Sequence, residues 1–287
     1  LSLTGLFLCA APVVLGLAAG LLWMISLISP KMALLLALAW VYKVASWIRR
    51  CGYQAFGWGP RPTLPLLTAK CDAKERVRFV CISDTHNDHD RLEVPDGDVL
   101  LHAGDFTTHG TEQEIKAFDE WLGTLPHKHK LVCAGNHDST LDRTYYNEHW
   151  KRHHQVKQDP DKARSLLSNC RYIENEKVTV EGVTVFAAPA MPSRIVGAWK
   201  RPEEELQEYW DVKFNLEDSP DILLTHAPPY DILDQSITGI KTGSKPLLSG
   251  IRRMKPKFCV FGHIHESYGV AVDPRSECVC INASSCT

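Results

Sequence analysis

Short apolar runs recur along the chain from about residue 78, and each is followed by a polar turn. The runs are rich in Val, Ile, Leu and Phe and occupy residues 78–82, 98–101, 131–134, 222–224 and 258–261. Runs of this length and composition predict buried β-strands. The turns that follow would then open at the carboxyl ends of strands, where α/β sheets bind ligands.

Other segments have the patterns of helices and hairpins. Residues 111–114 have the form of a capping box, and apolar residues at helical spacing follow them, which predicts a helix over 112–122. Pro202 opens a second predicted helix over 203–210. Alternating residues on either side of turn residues predict two strand pairs, 178–180 with 183–185 and 268–272 with 277–281.

The first 50 residues differ sharply from the rest, because they are apolar and contain four basic residues and no acidic one. A hydrocarbon core of roughly 30 Å needs ~20 apolar residues as a helix, so Leu3 to Ile28 predicts a transmembrane helix. The shorter stretch 32–48 is interpreted as a second span, an interfacial segment or the second arm of a hairpin. Residues 1–50 are therefore predicted to form a membrane anchor of one or two hydrophobic helices.

The residues after the apolar stretch indicate how the chain is arranged at the membrane. Arg49 and Arg50 mark the cytoplasmic side, so the remainder of the chain is predicted to be cytosolic. A cleaved signal peptide is disfavoured, because no basic residue precedes the stretch and it exceeds the ~7–15 residues of a signal core. Scattered Gly and Pro predict a linker over 51–75, followed by a globular domain over 76–287.

Charge and cysteine usage narrow the classes of function. The chain has 32 basic and 34 acidic residues, so the part after residue 50 carries 28 basic and 34 acidic residues, a net charge of −6. This balance argues against a nucleic-acid partner. Three of the ten cysteines, Cys81, Cys133 and Cys259, lie in predicted buried strands, which predicts reduced thiols rather than disulfides. The sequon at Asn282 follows a predicted buried strand and is not expected to be glycosylated.

The five turns after the predicted strands carry carboxylate, imidazole and amide side chains. A strand-end Asp-x-His places a carboxylate and an imidazole on one side of the chain, which suits a metal ion. Each motif alone is a weak signal, but their shared position is what a dinuclear phosphoester-cleaving site requires. The motifs are Asp84-Thr85-His86, Gly104-Asp105, Gly135-Asn136-His137-Asp138, Thr225-His226-Ala227-Pro228-Pro229 and Gly262-His263-Ile264-His265.

These motifs, in this order, resemble the signature of the calcineurin-like metallophosphoesterase superfamily, and the likeness covers roughly residues 78–285. The chain is most similar to the subfamily of metallophosphoesterase-domain-containing proteins, which is related to class III cyclic-nucleotide phosphodiesterases. The segments that carry this closer likeness are 102–107, 121–130, 225–229 and 261–266. The resemblance implies an α/β fold, a four-layer α-β-β-α sandwich with two mixed sheets between outer helices.

The resemblance also assigns roles to residues. It implies two divalent or trivalent metal ions, one held by Asp84, His86 and His265, the other by Asn136, His226 and His263, with Asp105 bridging them. His137 would act on the phosphate or the leaving-group oxygen as an acid or charge stabiliser, and Asp138 would hold its ring.

The chemistry that such a site performs follows from general principles. Two cations ~3.5–4 Å apart lower the pKa of a shared water and supply hydroxide for in-line attack on phosphorus. Ligands of this kind suit Mn, Fe, Zn, Ni or Co. We expect a metal-dependent hydrolase of small-molecule phosphoesters, specifically a phosphodiesterase, and a cyclic nucleotide is one candidate substrate. The alternatives are a phosphomonoesterase or protein phosphatase and a nucleotide-binding scaffold with little turnover. The motifs do not indicate whether the protein is a monomer or an oligomer.

The remaining histidines and one loop complete the sequence-based expectations. The segment 191–201 is predicted to lie over the site, and His102 is either a support of the site or a structural histidine. The basic run 151–154 is interpreted as a solvated face. The other histidines interpreted as solvated are His89, His109, His127, His129, His149, His153 and His154.

Overall fold

A computed structural model describes residues 76–193, 195, 197–213 and 219–285 of the chain. The predicted membrane anchor, 1–50, and linker, 51–75, lie outside the described residues. Within those described ranges, no helix has the length and apolar character needed to cross a membrane.

The first sheet is built from strands that all run in one direction. Its order is β1-β2-β3-β4, and each neighbouring pair is parallel. Parallel neighbours require crossover connections, and helical segments lie in each of these connections. The strands are β1 (Phe79–Ile82), β2 (Val99–His102), β3 (His129–Val132) and β4 (Arg171–Tyr172).

The second sheet is mixed, with the order β11-β12-β10-β9-β6-β5. Its central pairs are parallel, and the outer pairs β5/β6 and β11/β12 are antiparallel. The expected mixed character is therefore found in the second sheet, whereas the strands of the first sheet that the structure describes are all parallel. The strands are β5 (Glu176–Val180), β6 (Val183–Ala188), β9 (Ile222–Thr225), β10 (Phe258–Phe261), β11 (Gly269–Val272) and β12 (Val279–Asn282), with a separate pair formed by β7 (Met191–Pro192) and β8 (Lys200–Arg201).

Helices cover the outer faces of both sheets. The predicted capping box at the start of α1 is present, since Thr111 accepts from the Glu114 backbone and Glu114 accepts from the Thr111 backbone. The helices are α1 (Glu112–Thr124), α2 (Arg143–His149), α3 (Pro160–Ser165), α4 (Glu203–Lys213) and α5 (Lys245–Met254). Short 3-10 turns occupy His89–Arg91, Ser139–Leu141, Trp150–Arg152 and His265–Ser267.

Successive side chains along a strand point to opposite faces of the sheet and so contribute to three separate apolar cores. Val99 and Leu101 of β2 face the core between the sheets, where Ile222 and Leu224 of β9 meet them. Leu100 points the other way and packs with α1. On the far side, Cys259 and Phe261 of β10 pack with α4 and α5. Three cores between successive layers give a four-layer α-β-β-α arrangement.

The five strands predicted from apolar runs are all present, with boundary shifts of one or two residues. The predicted hairpin is also confirmed, and Glu181 and Gly182 both have positive φ, as a tight hairpin turn requires. The second strand pair is confirmed as β11 and β12. Within the described part of the chain the cysteines are free thiols, as predicted, and Asn282 of the sequon is buried.

Asp273 joins α5 to the turn between β11 and β12, and its side chain is fully buried. Its carboxylate accepts from the guanidinium of Arg252, with Nη2 2.8 Å from Oδ1, and from the backbone and hydroxyl of Ser276. The hydrogen bond from Arg252 is the largest factor that lowers the pKa of Asp273, to about 2. The ionised carboxylate is therefore the stable form in the fold.

We expect Asp273→Asn to lower the free energy of unfolding at pH 7 by about 2 kcal/mol, because a buried charged hydrogen-bond network is lost. Because the folded pKa is depressed, the difference from wild type should be full above pH ~4 and disappear as the pH falls toward 2. Urea denaturation at pH 7 and pH 3 measures it. Asp211→Asn, which breaks the exposed pair with Arg253, is the matched control and should change little. Equal effects of the two substitutions would contradict the prediction.

Candidate metal centre

The five predicted turns meet at one edge of the molecule, where the carboxyl ends of strands from both sheets converge. Within the first sheet, the Asp84 amide donates to the Gly104 carbonyl at 2.9 Å. Across the sheets, the backbone amide of His263 donates to Asp84 Oδ2 at 3.0 Å. The turn after β1 is thus hydrogen-bonded to the turns after β2 and β10. These bonds, together with contacts between the side chains, bring the candidate ligands close to one another.

The first group of candidate ligands consists of Asp84, His86 and His265, and their ligand atoms lie within 4.8 Å of one another. Nε2 of His265 is 3.2 Å from Asp84 Oδ1 and 3.4 Å from Nε2 of His86. These are the three residues that the sequence assigned to one metal ion.

The second group consists of Asp105, His226 and His263, also within 4.8 Å of one another. Nε2 of His226 lies 3.2 Å from Asp105 Oδ2 and 3.2 Å from Oδ1 of Asn136. The amide oxygen of Asn136 therefore adds a neutral donor to this group.

Asp105 lies between the two groups. Its Oδ2 is 3.2 Å from Nε2 of His226 and 3.8 Å from Nε2 of His86. A carboxylate in this position is within reach of ions held by either group, which is what the predicted bridging role requires.

The histidine rings are held by backbone carbonyls. Nδ1 of His226 donates to the Ala103 carbonyl at 2.8 Å, and Nδ1 of His86 to the Thr107 carbonyl at 3.3 Å. This arrangement directs Nε2 of each ring into the group, as in metal-ligating histidines, where it would bind an ion once it carries no proton. The facing Nε2 atoms of His86 and His265, with Asp84 beside them, form an electron-rich pocket that fits a cation.

The charges of the centre perturb the pKa values of its members. Burial alone would raise the pKa of Asp84, but His265, His226 and His86 outweigh it and hold that pKa well below its ordinary value. Burial would likewise lower the pKa of His226, yet Asp105 and Asp84 raise it to about 9. Burial and, next, the neighbouring His226 lower the pKa of His263 to about 3. Both carboxylates are therefore ionised, which favours cation binding.

The backbone of the turns is strained in the region that carries the ligands. Positive φ angles occur at Asp84 (56°), His86 (41°), Asp105 (54°) and His263 (68°). Non-glycine residues rarely adopt such angles, which cost roughly 1–3 kcal/mol each and cluster at functional sites. The hydrogen bonds between turns hold these residues in place.

At two positions the backbone lies so close to a carboxylate that only glycine fits. A Cβ at Gly135 would lie 2.2 Å from Asp105 Oδ1, and a Cβ at Gly262 would lie 2.0 Å from Asp84 Oδ2. Only glycine allows each carboxylate to pack against the neighbouring turn, which explains the Gly that precedes Asn136 and His263 in the motifs.

His137 is exposed, whereas most of the candidate ligands are buried or half-buried. Its ring packs edge to face against His86, with centroids 4.8 Å apart, and Nδ1 donates to the Thr108 carbonyl at 2.8 Å. The ring therefore lies at the open side of the centre with Nε2 free of the Thr108 bond, consistent with the predicted role toward the substrate.

The expectation that Asp138 holds the ring of His137 is wrong. The Asp138 carboxylate is buried and accepts from the backbone amides of Asp105, at 2.9 Å, and of Gly135, at 2.8 Å, and from the amide and hydroxyl of Thr107. The chain turns after His137, so that Asp138 points inward. Burial and the nearby Asp105 raise the pKa of Asp138 to about 7. Asp138 fixes the turn that presents Asp105.

Several supporting residues were missed from sequence. Ser284 Oγ donates to Asp84 Oδ2 at 2.9 Å, and Nδ2 of Asn282 donates to the Ile264 carbonyl at 2.8 Å. Their position directly after the last strand of the chain was a usable signal. His102 supports the site as well, because its Nδ1 accepts from the Gly104 amide at 3.2 Å and its Nε2 therefore donates to the Thr85 hydroxyl at 3.1 Å.

Of the seven histidines interpreted as solvated, only His109 is exposed. His89 packs against the ring of Trp121, with centroids 5.2 Å apart, and His127 is bonded to the Pro95 carbonyl at 3.0 Å, and both are buried. The other four are half-buried: His153 and His154 are hydrogen-bonded to tyrosines, His149 packs against the Tyr145 ring, and His129 is bonded to Glu181. Their polar neighbours in sequence gave no sign of these partners.

The segment predicted to lie over the site does border it. The Ala198 amide donates to the Asn136 carbonyl at 3.2 Å, and the Trp199 amide donates to Asp142 Oδ2 at 2.7 Å. Arg194, which the sequence placed in this segment, lies outside the described residues.

Comparisons with known proteins agree with this geometry. The profile of calcineurin-like phosphoesterases matches residues 77–267. Human metallophosphoesterase domain-containing protein 1 is 39% identical over 222 residues, which cover 74% of this chain and 67% of the relative. UPF0046 protein K07C11.7 of Caenorhabditis elegans is 36% identical over 221 residues, covering 75% and 72%. One crystal structure superposes with a TM-score of 0.54 at 16% identity, covering 72% of this chain and 90% of the other, which shows the shared fold.

The seven candidate ligands lie in the region that the family profile matches, and the human relative, which is covered over 67% of its length, is named as a metallophosphoesterase-domain-containing protein. This chain therefore belongs to the calcineurin-like phosphoesterases, in the subfamily of metallophosphoesterase-domain-containing proteins, and has the metal-dependent phosphoester hydrolase fold of that family.

Proposed function

We propose that this protein is a phosphodiesterase that uses two metal ions. The observation that carries the proposal is the pair of ligand groups, Asp84, His86 and His265 on one side and Asp105, His226 and His263 on the other, with Asp105 between them. The likeness to relatives of class III cyclic-nucleotide phosphodiesterases favours diesters as substrates, and a cyclic nucleotide is one candidate.

When bound, the ions would neutralise phosphoryl charge and activate water for attack on phosphorus. The residues of the chain supply the rest. Asp84, Asp105 and the imidazoles fix where the phosphate sits, and the carbonyls of Ala103 and Thr107 fix the ring orientation. His137, held by the Thr108 carbonyl and exposed at the open side, donates a proton or a hydrogen bond from Nε2 to a phosphoryl or leaving-group oxygen.

The two other candidate functions make different demands on the same site. A phosphomonoesterase would hydrolyse p-nitrophenyl phosphate in preference to its diester. A nucleotide-binding scaffold would bind nucleotides tightly with negligible turnover. The complete set of ligand side chains, with His137 at the open side, supports turnover over a purely structural site.

Activity should depend on metal and on Asp105. With Mn²⁺ and bis-p-nitrophenyl phosphate, we expect Asp105→Ala to lower kcat/KM about 100-fold or more and to lower bound metal, because both groups lose their shared carboxylate. His137→Ala should lower kcat while metal content stays at the wild-type level. Initial rates and metal content by mass spectrometry measure both effects.

Glu120→Ala, on the exposed face of α1, is the control and should behave as wild type. Wild-type protein without metal-dependent turnover on the diester, the monoester or cyclic nucleotides would contradict the proposal. So would undiminished activity in Asp105→Ala.

The packing of Gly135 against Asp105 gives a second test. Gly135→Ala should displace the Asp105 carboxylate, and we expect metal affinity to fall about 10-fold to 100-fold with the fold retained. Gly182→Ala is the matched control, because its Cβ meets open space at a hairpin far from the ligands, although its positive φ carries a strain cost. Metal titration measures the metal affinity of each variant, and circular dichroism checks that each variant is folded. Equal metal affinity in both would show that the close approach does not matter.

The apolar N-terminal sequence leads us to propose that the hydrolase is held at a membrane through residues 1–50, with the domain from residue 76 on the cytosolic side. We expect the full chain to stay with the membrane fraction after a carbonate wash and to be digested by protease added to sealed, cytosol-side-out vesicles. An integral and a peripheral membrane protein are the controls. Release by carbonate would overturn the spanning segment, and protection from protease would overturn its orientation.

A further inference from the structure

Two segments outside the ligand turns form the surface beside His137. The ring of His154 donates from Nε2 to the His109 carbonyl at 3.0 Å, and the carbonyl of the preceding residue, Thr108, holds the His137 ring. On the other segment, the Ala198 amide is bonded to the Asn136 carbonyl. The segments around His153 and around Lys200 are thus both tied to the loops that carry the site.

Tyr145 of α2 joins these two segments. Its hydroxyl is 2.9 Å from Nε2 of His153, and the ammonium group of Lys200 lies 5.8 Å from the centre of its ring. A phenol, an imidazole and an ammonium group therefore meet at one place, which we call the rim cluster (Tyr145, His153 and Lys200).

The positive charge of the rim cluster is carried by the ammonium group of Lys200. Lys200 and Arg152 have no carboxylate within ion-pair distance among the described residues, whereas Lys128 and Lys162 are paired with glutamates. Burial and neighbouring positive groups, first His154, lower the pKa of His153.

Two acids border the rim cluster, and neither forms an ion pair with Lys200 or Arg152 among the described residues. Asp142 accepts from the backbone amides of Tyr145, at 3.1 Å, and Trp199, at 2.7 Å, and Glu148 is exposed with its carboxylate 3.9 Å from His149. The ammonium group of Lys200 is therefore available to a ligand, and an anion is the ligand that it fits.

We propose that Tyr145, His153 and Lys200 bind a second anionic group of the substrate, on the leaving-group side of the scissile phosphate. This inference rests on the proposed phosphodiesterase function. Lys200 donates from its ammonium group to a phosphate or carboxylate oxygen. The hydrogen-bonded pair of Tyr145 and His153 adds one further donor, the hydroxyl or an imidazole N–H according to the tautomer of His153. The cation already over the Tyr145 ring favours an anion at this place over a stacked base. The substrate class is a phosphodiester whose leaving group carries a further negative charge.

A matched pair of chromogenic diesters tests the rim cluster. Methyl 4-nitrophenyl phosphate and its 3-carboxy-4-nitrophenyl analogue differ by one carboxylate on the leaving group. With the Mn²⁺-loaded full chain, we expect kcat/KM to favour the carboxylate substrate, mainly through KM, and the preference to weaken with added salt. Lys200→Gln and His153→Phe should each lower the preference about fivefold.

Lys116→Gln, which removes one exposed lysine from α1, is the control and should keep the preference. Wild type that hydrolyses both diesters without preference, or variants that keep the preference, would overturn the rim cluster as a subsite and leave the phosphodiesterase proposal standing.

A binding arm covers the case in which neither chromogenic diester is hydrolysed. The phosphodiesterase proposal itself is overturned only when cyclic nucleotides are not hydrolysed either. Phenylphosphonate and 3-phosphonobenzoate also differ by one carboxylate, and their affinities are measured by isothermal titration of wild type and Lys200→Gln. Tighter binding of 3-phosphonobenzoate that is lost in Lys200→Gln supports the subsite. Equal affinities in wild type, or a difference that survives the substitution, overturn it.

Discussion

Asp84 and Asp105 place two ionised carboxylates in the interior, where an uncompensated charge costs several kcal/mol. The rest of the site is arranged around them. Asp84 accepts from the His263 amide and the Ser284 hydroxyl, and Asp105 accepts from the His137 amide at 2.8 Å. These bonds hold the carboxylates without neutralising them. The negative charge of these carboxylates, with the imidazole nitrogens around it, favours cations at this edge of the molecule.

The four-layer fold makes this concentration of charge possible. The first sheet delivers Asp84, Asp105 and Asn136, and the second delivers His226 and His263, so each sheet supplies part of both ligand groups. Neither sheet alone completes a group. The apolar core between the sheets fixes their spacing, and the backbone bond from His263 to Asp84 closes the edge where they meet. Packing of the core is therefore coupled directly to the separation of the ligands.

The sequence was sufficient for the parts of the structure that depend on local pattern. Apolar runs marked the strands, and the residues that follow them marked the ligand turns. The direction of a side chain within a turn could not be predicted from the sequence, as Asp138 shows. The Asp138 carboxylate turns inward to the amides of Asp105, Gly135 and Thr107, and no local sequence pattern indicates that direction. His89 and His127 were misjudged for a related reason, since burial depends on partners distant in sequence, such as Trp121.

The position of His137 connects the buried charge to the open surface. Its ring touches His86 on one side, and its Thr108 anchor is next in sequence to the carbonyl that holds His154 on the other. The loop 107–110 therefore positions both His137 and His154, the residue next to His153 of the rim cluster, with one backbone segment. Asp138 holds that same loop through Thr107, and it also holds the amide of Asp105. One buried carboxylate thus fixes both Asp105 and the loop that carries the Thr108 carbonyl, so that their separation is determined by a single turn of the chain.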